Sequence, residues 1–176
     1  MSTTKWALDP THSELGFKIK HLMISNVSGR FNSFDVTAET GNDDFMDAAI
    51  TATIDVSSIF TNNEQRDGHL RTGDFFEIEK YPNITFKSTS IKKDGDDLEV
   101  TGDLTMKDVT KPATLKVEFA GITKDLYGNT KAGFSFTGKV NRKDWGINFN
   151  AALETGGVML GEEVKFEGEI QLVKQA

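Results

Sequence analysis

A hydrophobic period of two constrains this chain more than any other feature. Between residues 14 and 20, Leu15, Phe17 and Ile19 alternate with Glu14, Lys18 and Lys20. Residues 48–56 repeat the pattern, with Ala48, Ile50, Ala52, Ile54 and Val56 set against Thr51, Thr53 and Asp55. It recurs in Leu98/Val100/Leu104/Met106, Leu115/Val117/Phe119, Phe134/Phe136 and Val164/Phe166/Ile170/Leu172, and in shorter form at 34–38 and 84–90. Successive side chains of a strand point to opposite faces, so the pattern predicts antiparallel strands with one wet face and one dry face. Asp94-Gly95-Asp96-Asp97 and Tyr127-Gly128-Asn129 supply residues suited to tight hairpins, and 107–112 reads as a turn ended by Pro112. No linker, repeat or low-complexity tract intervenes, so residues 1–176 are expected to form one all-β domain.

Strands with one dry face become a sandwich or a closed barrel. Two features point to a barrel: the apolar faces are long, and glycines interrupt them at Gly102, Gly121, Gly138 and Gly168. Ala38, Ala52, Ser88 and Ser90 add small inward residues. Glycine there lets a strand bend at a barrel corner or leaves space against the wall. Bulk reaching over from the opposite wall satisfies the same pattern.

One segment breaks the alternation. Between Val56 and Asn83, Thr61 with Glu64 three residues later forms a capping-box pattern, predicting a short helix over about 62–71 closed by Gly73. A connection this long in a compact β domain reads as a lid. The long stretch from Trp145 to Gly161 reads as a cover for the other end or a partner surface.

Composition narrows the chemistry. The 176 residues include no cysteine, which removes disulfides, thiolate nucleophiles and cysteine-ligated metals. A formal net charge of -7 with scattered basic residues argues against a nucleic-acid partner. Gly133 to Val140 approaches P-loop spacing but carries Val140 where a Ser or Thr must hold the metal. No Gly-x-Ser-x-Gly elbow is present. His12, His21 and His69 lack metal-type spacing, and Asp43-Asp44 and Asp94-Asp96-Asp97 lack a calcium-loop pattern, so no metal or cofactor is expected. No stretch is long enough to span a bilayer as a helix, and no apolar run follows Lys5, so a cytoplasmic protein is the expectation.

Two groups of residues remain. Arg66, Asp67, His69 and Arg71 crowd the helical insertion beside Leu70, Phe75 and Phe76, and Arg142 follows the Phe134/Phe136 strand. They read either as contacts to a polar head group at a pocket mouth or as ties between lid and rim. The second group is phenylalanine: thirteen, against two Tyr and two Trp. Phe17, Phe34, Phe86, Phe119, Phe134, Phe136 and Phe166 fall on the inward register. Phe brings apolar area and no polar handle. Such a stripe is either ordinary core or the wall of a site for a ligand without hydrogen-bonding groups.

Ordered motifs then point to a family. Trp6-x-Leu8-Asp9-x-x-His12-Ser13, Phe17-x-Ile19-x-His21, Gly29-Arg30-Phe31, Arg66-Asp67-x-His69-Leu70 and Asp74-Phe75-Phe76 resemble the YceI-like family. So do Tyr81-Pro82-x-Ile84-x-Phe86-x-Ser88, Gly102-x-Leu104-Thr105, Thr110-Lys111-Pro112 and Asn141-Arg142-x-x-Trp145-Gly146. The resemblance implies a bacterial protein with a lipocalin-like antiparallel β-barrel, a short helical insertion and an apolar bore. It implies non-catalytic binding and transport of a long-chain isoprenoid lipid, of polyprenyl or isoprenoid-quinone type, with a homodimer expected from several relatives. Many members carry an export leader to the periplasm, and this sequence departs from them there.

With the resemblance, the tunnel lining is expected from Phe17, Ile19, Phe34, Ile54, Leu70, Phe75, Phe76, Phe86, Leu104, Phe119, Phe134, Phe136, Trp145 and Phe166. Head-group contacts are expected from His21, Arg66, Asp67, His69 and Arg142. Two other functions stand beside this one. An enzyme acting on such a lipid would use His21 or His69 with Asp67 as acid and base. An interaction module would fill its core and bind a stress or envelope partner through its loops.

Overall fold

The computed structural model describes residues 3–22, 24–42, 44–148, 150 and 160–175. Its strands are β1 (Thr4–Leu8), β2 (Glu14–His21), β3 (Ser25–Phe31), β4 (Phe34–Thr40), β5 (Ala49–Asp55), β6 (Ile59–Phe60), β7 (Asn83–Asp94), β8 (Asp97–Met106), β9 (Val109–Lys124), β10 (Thr130–Asn141) and β11 (Leu160–Lys174). One helix, α1 (Glu64–Leu70), lies in the connection between β6 and β7.

The sheet closes on itself. β1, β4, β5, β7, β8, β9, β10 and β11 pair in that order, and β11 pairs back onto β1, giving a ring of eight antiparallel strands. β2, β3 and β6 continue three of these strands beyond a bend. β1 and β2 lie end to end along β11, β3 and β4 lie end to end beside them, and β6 extends β5. The barrel is therefore an up-and-down meander in chain order, closed by its first and last strands, which leaves the eight-strand ring without a free edge.

Local chemistry places two of the bends. Asp9 accepts a hydrogen bond from the Thr11 N–H at 3.1 Å and Pro10 follows it, so a 3₁₀ turn separates β1 from β2. Asp55 does the same for Ser57 at 3.0 Å, separating β5 from β6.

Several local expectations are corrected. Lys107 and Asp108 alone form the β8–β9 hairpin, with φ of 50° and 63°, the two left-handed residues that a two-residue turn needs. Pro112 lies inside β9 opposite Asp103, beyond Leu115, where pairing with β10 ends, so its missing N–H interrupts no ladder on that side. Gly121 is not a gap on the dry face. It is exposed, with φ of 113°, at a bulge where Ala120 is the extra residue between the pairs Gly133–Gly121 and Phe134–Phe119. The N-cap of α1 is Asn63, whose side chain accepts from the Arg66 N–H at 3.0 Å, and the helix ends at Leu70 with Arg71 as its cap. Gly73 keeps an ordinary negative-side backbone and does not close it. The connection expected to form a cover, 145–161, lies mostly outside the described residues, as does Asp43 of the acidic pair.

The meander puts its connections at two ends. The β4–β5, β7–β8 and β9–β10 hairpins share one end, and α1, the β2–β3 and β8–β9 hairpins and the β10–β11 connection share the other. Phe45, in the β4–β5 connection with φ of 60°, plugs the first end: it is buried against Trp6, Phe119 and Phe134. At the helix end Phe31, Val56, Ile59, Phe75, Ile84, Met106, Trp145 and Ile147 form a second buried cluster.

Candidate functional site

Between these two clusters the barrel is hollow. A cavity of about 390 Å³ runs from Ala38, Phe45 and Leu172 at the plugged end to Arg142, Ile147 and Leu160 at the helix end. That volume falls in the range of small-molecule sites. Its lining is apolar apart from His21, Thr61, Arg66, His69 and Arg142. A predominantly apolar wall of this kind suits an apolar guest.

The bore stays open because phenylalanines lie along the wall. Phe17 stands opposite Gly29, Phe136 opposite Gly168 and Phe166 opposite Gly138, while the Phe86 ring lies over Gly102. In each pair the ring occupies the place where a β-carbon of the glycine would sit. Two of these pairs share the β10–β11 ladder in opposite directions. The inward glycines are thus filled by a neighbouring strand's ring, neither left empty nor filled from across the barrel. The volume each ring vacates is in the bore.

Of the fourteen residues expected to line a tunnel, Phe17, Ile19, Phe34, Ile54, Leu70, Phe75, Phe76, Phe86, Leu104, Phe134, Phe136 and Phe166 face the cavity. Phe119 does not. It stacks on Phe134 at 5.0 Å with 16° between the rings, and helps to seal the plugged end with Phe45. Trp145 does not either: its indole N–H donates to the Leu104 carbonyl at 2.9 Å, which holds the ring in the buried cluster behind the wall. Phe31, Phe45, Val100 and Ile170 face the cavity and were not foreseen as lining. Phe31 and Phe45 sit in segments without a legible alternation, whereas Val100 and Ile170 fall on the expected dry faces.

The polar residues of the lid are mostly engaged. Asp67, 4% exposed, accepts from the Thr61 N–H at 3.0 Å and from the Thr61 hydroxyl, and it does not line the cavity. Arg66 donates from Nε to Thr61 Oγ1 at 2.8 Å and from Nη2 to the Thr61 carbonyl at 2.6 Å. Two adjacent helix residues therefore grip one threonine, and that grip fixes α1 over the barrel. His69 Nε2 lies 2.8 Å from Asp74 Oδ2, and its ring meets Phe75 edge-on at 5.1 Å. The acid–base pairing that an enzyme reading requires, histidine with Asp67, is not made. No cluster of three metal-ligating groups occurs among the described residues.

Arg142 differs from these. It is 3% exposed; its Nε donates to the Gly161 carbonyl at 2.9 Å and its Nη1 to the Ile147 carbonyl at 2.7 Å. Its Nη2 has no partner among the described residues. Burial pulls its pKa down, opposed by Glu162, but a guanidinium starts so high that it stays charged. His21, also on the lining, pairs with Leu160 in the adjacent ladder.

Fold and cavity define a class: a lipocalin-like barrel, one antiparallel sheet closed around an apolar interior. The chain belongs to the YceI-like family, whose YceI-like domain matches residues 6–172. A UPF0312 protein of Staphylococcus aureus strain N315 is 48% identical over 169 residues, 96% of each chain. The crystal structure of a Campylobacter jejuni YCEI protein is 33% identical, covers 96% of this chain and 97% of its own, and superposes with a TM-score of 0.76. Burkholderia cenocepacia BcnA shares the fold at 21% identity and a TM-score of 0.80, over 93% of this chain and 98% of its own. A polyisoprenoid binding domain from Saccharophagus degradans shares it at 17% identity and 0.69, over 97% and 98%. No helix among the described residues is long and apolar enough to cross a membrane.

Proposed function

We propose that this barrel binds and carries a long-chain isoprenoid lipid in its bore, without chemically altering it. The observation that carries this reading is the apolar bore itself, kept open by rings folded onto cross-strand glycines. Such walls offer an incoming chain apolar burial and little else. At about 0.8 kcal/mol per buried methylene, each five-carbon unit contributes up to about 4 kcal/mol before ordering costs. Chain length therefore sets affinity, which favours a long repetitive lipid over a compact polar metabolite. Family membership supports the reading, as does the fold shared with the Saccharophagus degradans polyisoprenoid binding domain.

Native mass spectrometry of protein purified without detergent tests the proposal. A bound lipid released unchanged on denaturation is the expected result. An unliganded mass, together with no uptake of added polyprenol, would overturn it.

A further inference from the structure

The wall of the barrel has a seam. β9 and β10 pair from Lys124–Thr130 down to Leu115–Gly138, and there their ladder stops. Beyond that point residues 109–114 stay paired to β8, and residues 139–141 stay paired to β11. The sheet therefore parts between two strands that are each held on their other side, and it parts at the helix end.

The sequence dictates this parting. Lys107 and Asp108 make a two-residue hairpin, so Met106 and Val109 are the hydrogen-bonded pair that closes it. Counting from Val109, odd residues of β9 bond to β8, and even residues turn their backbone groups toward β10. Position 112 is even and is proline, so the N–H that a continued ladder needs there is missing. The continued register would set Asn141 opposite Pro112. Asn141 is committed elsewhere: it caps the 3₁₀ turn Arg142–Trp145, its side chain accepting from the Lys143 N–H at 3.0 Å.

Side chains close what the backbone leaves open. Ala113, Leu115 and Val140 line the bore beside the seam. A second concavity lies on the outer surface here, and Leu115 and Phe166 line both spaces. Among the described residues one hydrogen bond spans the seam. Trp145, at the end of the turn that follows β10, reaches past β9 and donates to the Leu104 carbonyl on β8 at 2.9 Å.

Relative bond strengths then choose a route into the bore. Phe45 plugs the far end. Parting any other pair of neighbouring strands breaks ladder hydrogen bonds. Passing α1 disturbs the charge-assisted bonds of Asp67 and Arg66 to Thr61, which are stronger than a neutral one. At the seam only apolar contacts and the single Trp145 bond must yield.

We infer, resting on the lipid-carrier reading above, that the seam between β9 and β10 is the door of the bore. A lipid passes sideways between the edges at 109–115 and 138–141, and Trp145 is the bolt.

The test measures exchange of tritiated farnesol, with uptake and release timed separately from the amount bound at equilibrium. The chain has no cysteine of its own, so Thr114→Cys with Lys139→Cys, both exposed, can be joined across the seam by a short bismaleimide. Cross-linking should stop exchange on the wild-type time scale and trap farnesol loaded beforehand. The same link on the paired part of the ladder, Lys116→Cys with Thr137→Cys, should leave the rates unchanged. Trp145→Phe should release farnesol about fivefold faster, the equivalent of one neutral hydrogen bond. Wild-type rates in the seam-linked protein would overturn the inference and leave the carrier reading intact. So would faster exchange in Asp67→Ala alone, which would put the door under α1. No binding of farnesol to the wild type at all would overturn the carrier reading and the door with it.

Discussion

Gly138 and Gly168 look alike in sequence, each facing a phenylalanine across the β10–β11 ladder, yet a methyl group would act differently at each. At Gly138 its nearest neighbours would be the tip of the Phe166 ring, a side chain that can swing away into the bore. At Gly168 it would also meet the Glu14 carbonyl, which is backbone and cannot. Gly138→Ala is therefore expected to fold, at a cost of about 1–3 kcal/mol, and to lose lipid capacity by native mass spectrometry. Gly168→Ala should lower the melting temperature more. Wild-type loading in a folded Gly138→Ala would mean that the ring's position does not set the volume of the bore. None of this is legible residue by residue. The sequence supplies the phenylalanines and the glycines, but only the register tells which ring lies on which glycine.

Among the elements, alternation makes most of the barrel readable because those strands have an unbroken dry face. β3 escapes it, since its inward row is Val27, Gly29 and Phe31 and the middle position has no side chain to count. β6 is two residues long and presents no period. At α1 both Thr61–Glu64 and Asn63–Arg66 have cap-like spacing; tertiary contacts decide between them, because Thr61 is committed to Asp67. That commitment can be measured. Asp67→Ala leaves the buried Thr61 N–H without its acceptor, with an expected cost of about 2 kcal/mol in denaturant unfolding. Hydrogen exchange should speed first in residues 64–70. A loss within experimental error would show that Arg66 alone holds the lid.

At the scale of the whole molecule, closure joins the first strand to the last, and a charged cluster beside the plugged end secures it. Lys131 Nζ lies 2.6 Å from Asp9 and 3.6 Å from Asp125, and His12 lies 2.9 Å from Asp9. The bond from Lys131 holds the Asp9 carboxyl far below its usual range, helped by Thr11 and His12 and opposed by burial. A carboxyl depressed in the folded state adds stability above its unfolded pKa and loses it as pH falls. Wild type should therefore melt higher than Lys131→Met at neutral pH. The gap should shrink progressively below about pH 4, where the unfolded carboxyl begins to protonate. A gap that stays constant down to about pH 2 would remove this cluster as a source of acid sensitivity.

Phe45 gives the barrel a direction. With Phe45 and Trp6 filling the far end, each 2% exposed, the carrier reading puts entry and exit at the helix end. A lipid carried as proposed would have to retreat the way it came. With the far end plugged by Phe45, a newcomer cannot push the resident out from behind. Exchange then proceeds at the rate of departure, whatever the concentration waiting outside. On the carrier reading the protein is a container with one door, and its residence time is set by how firmly the wall holds the chain.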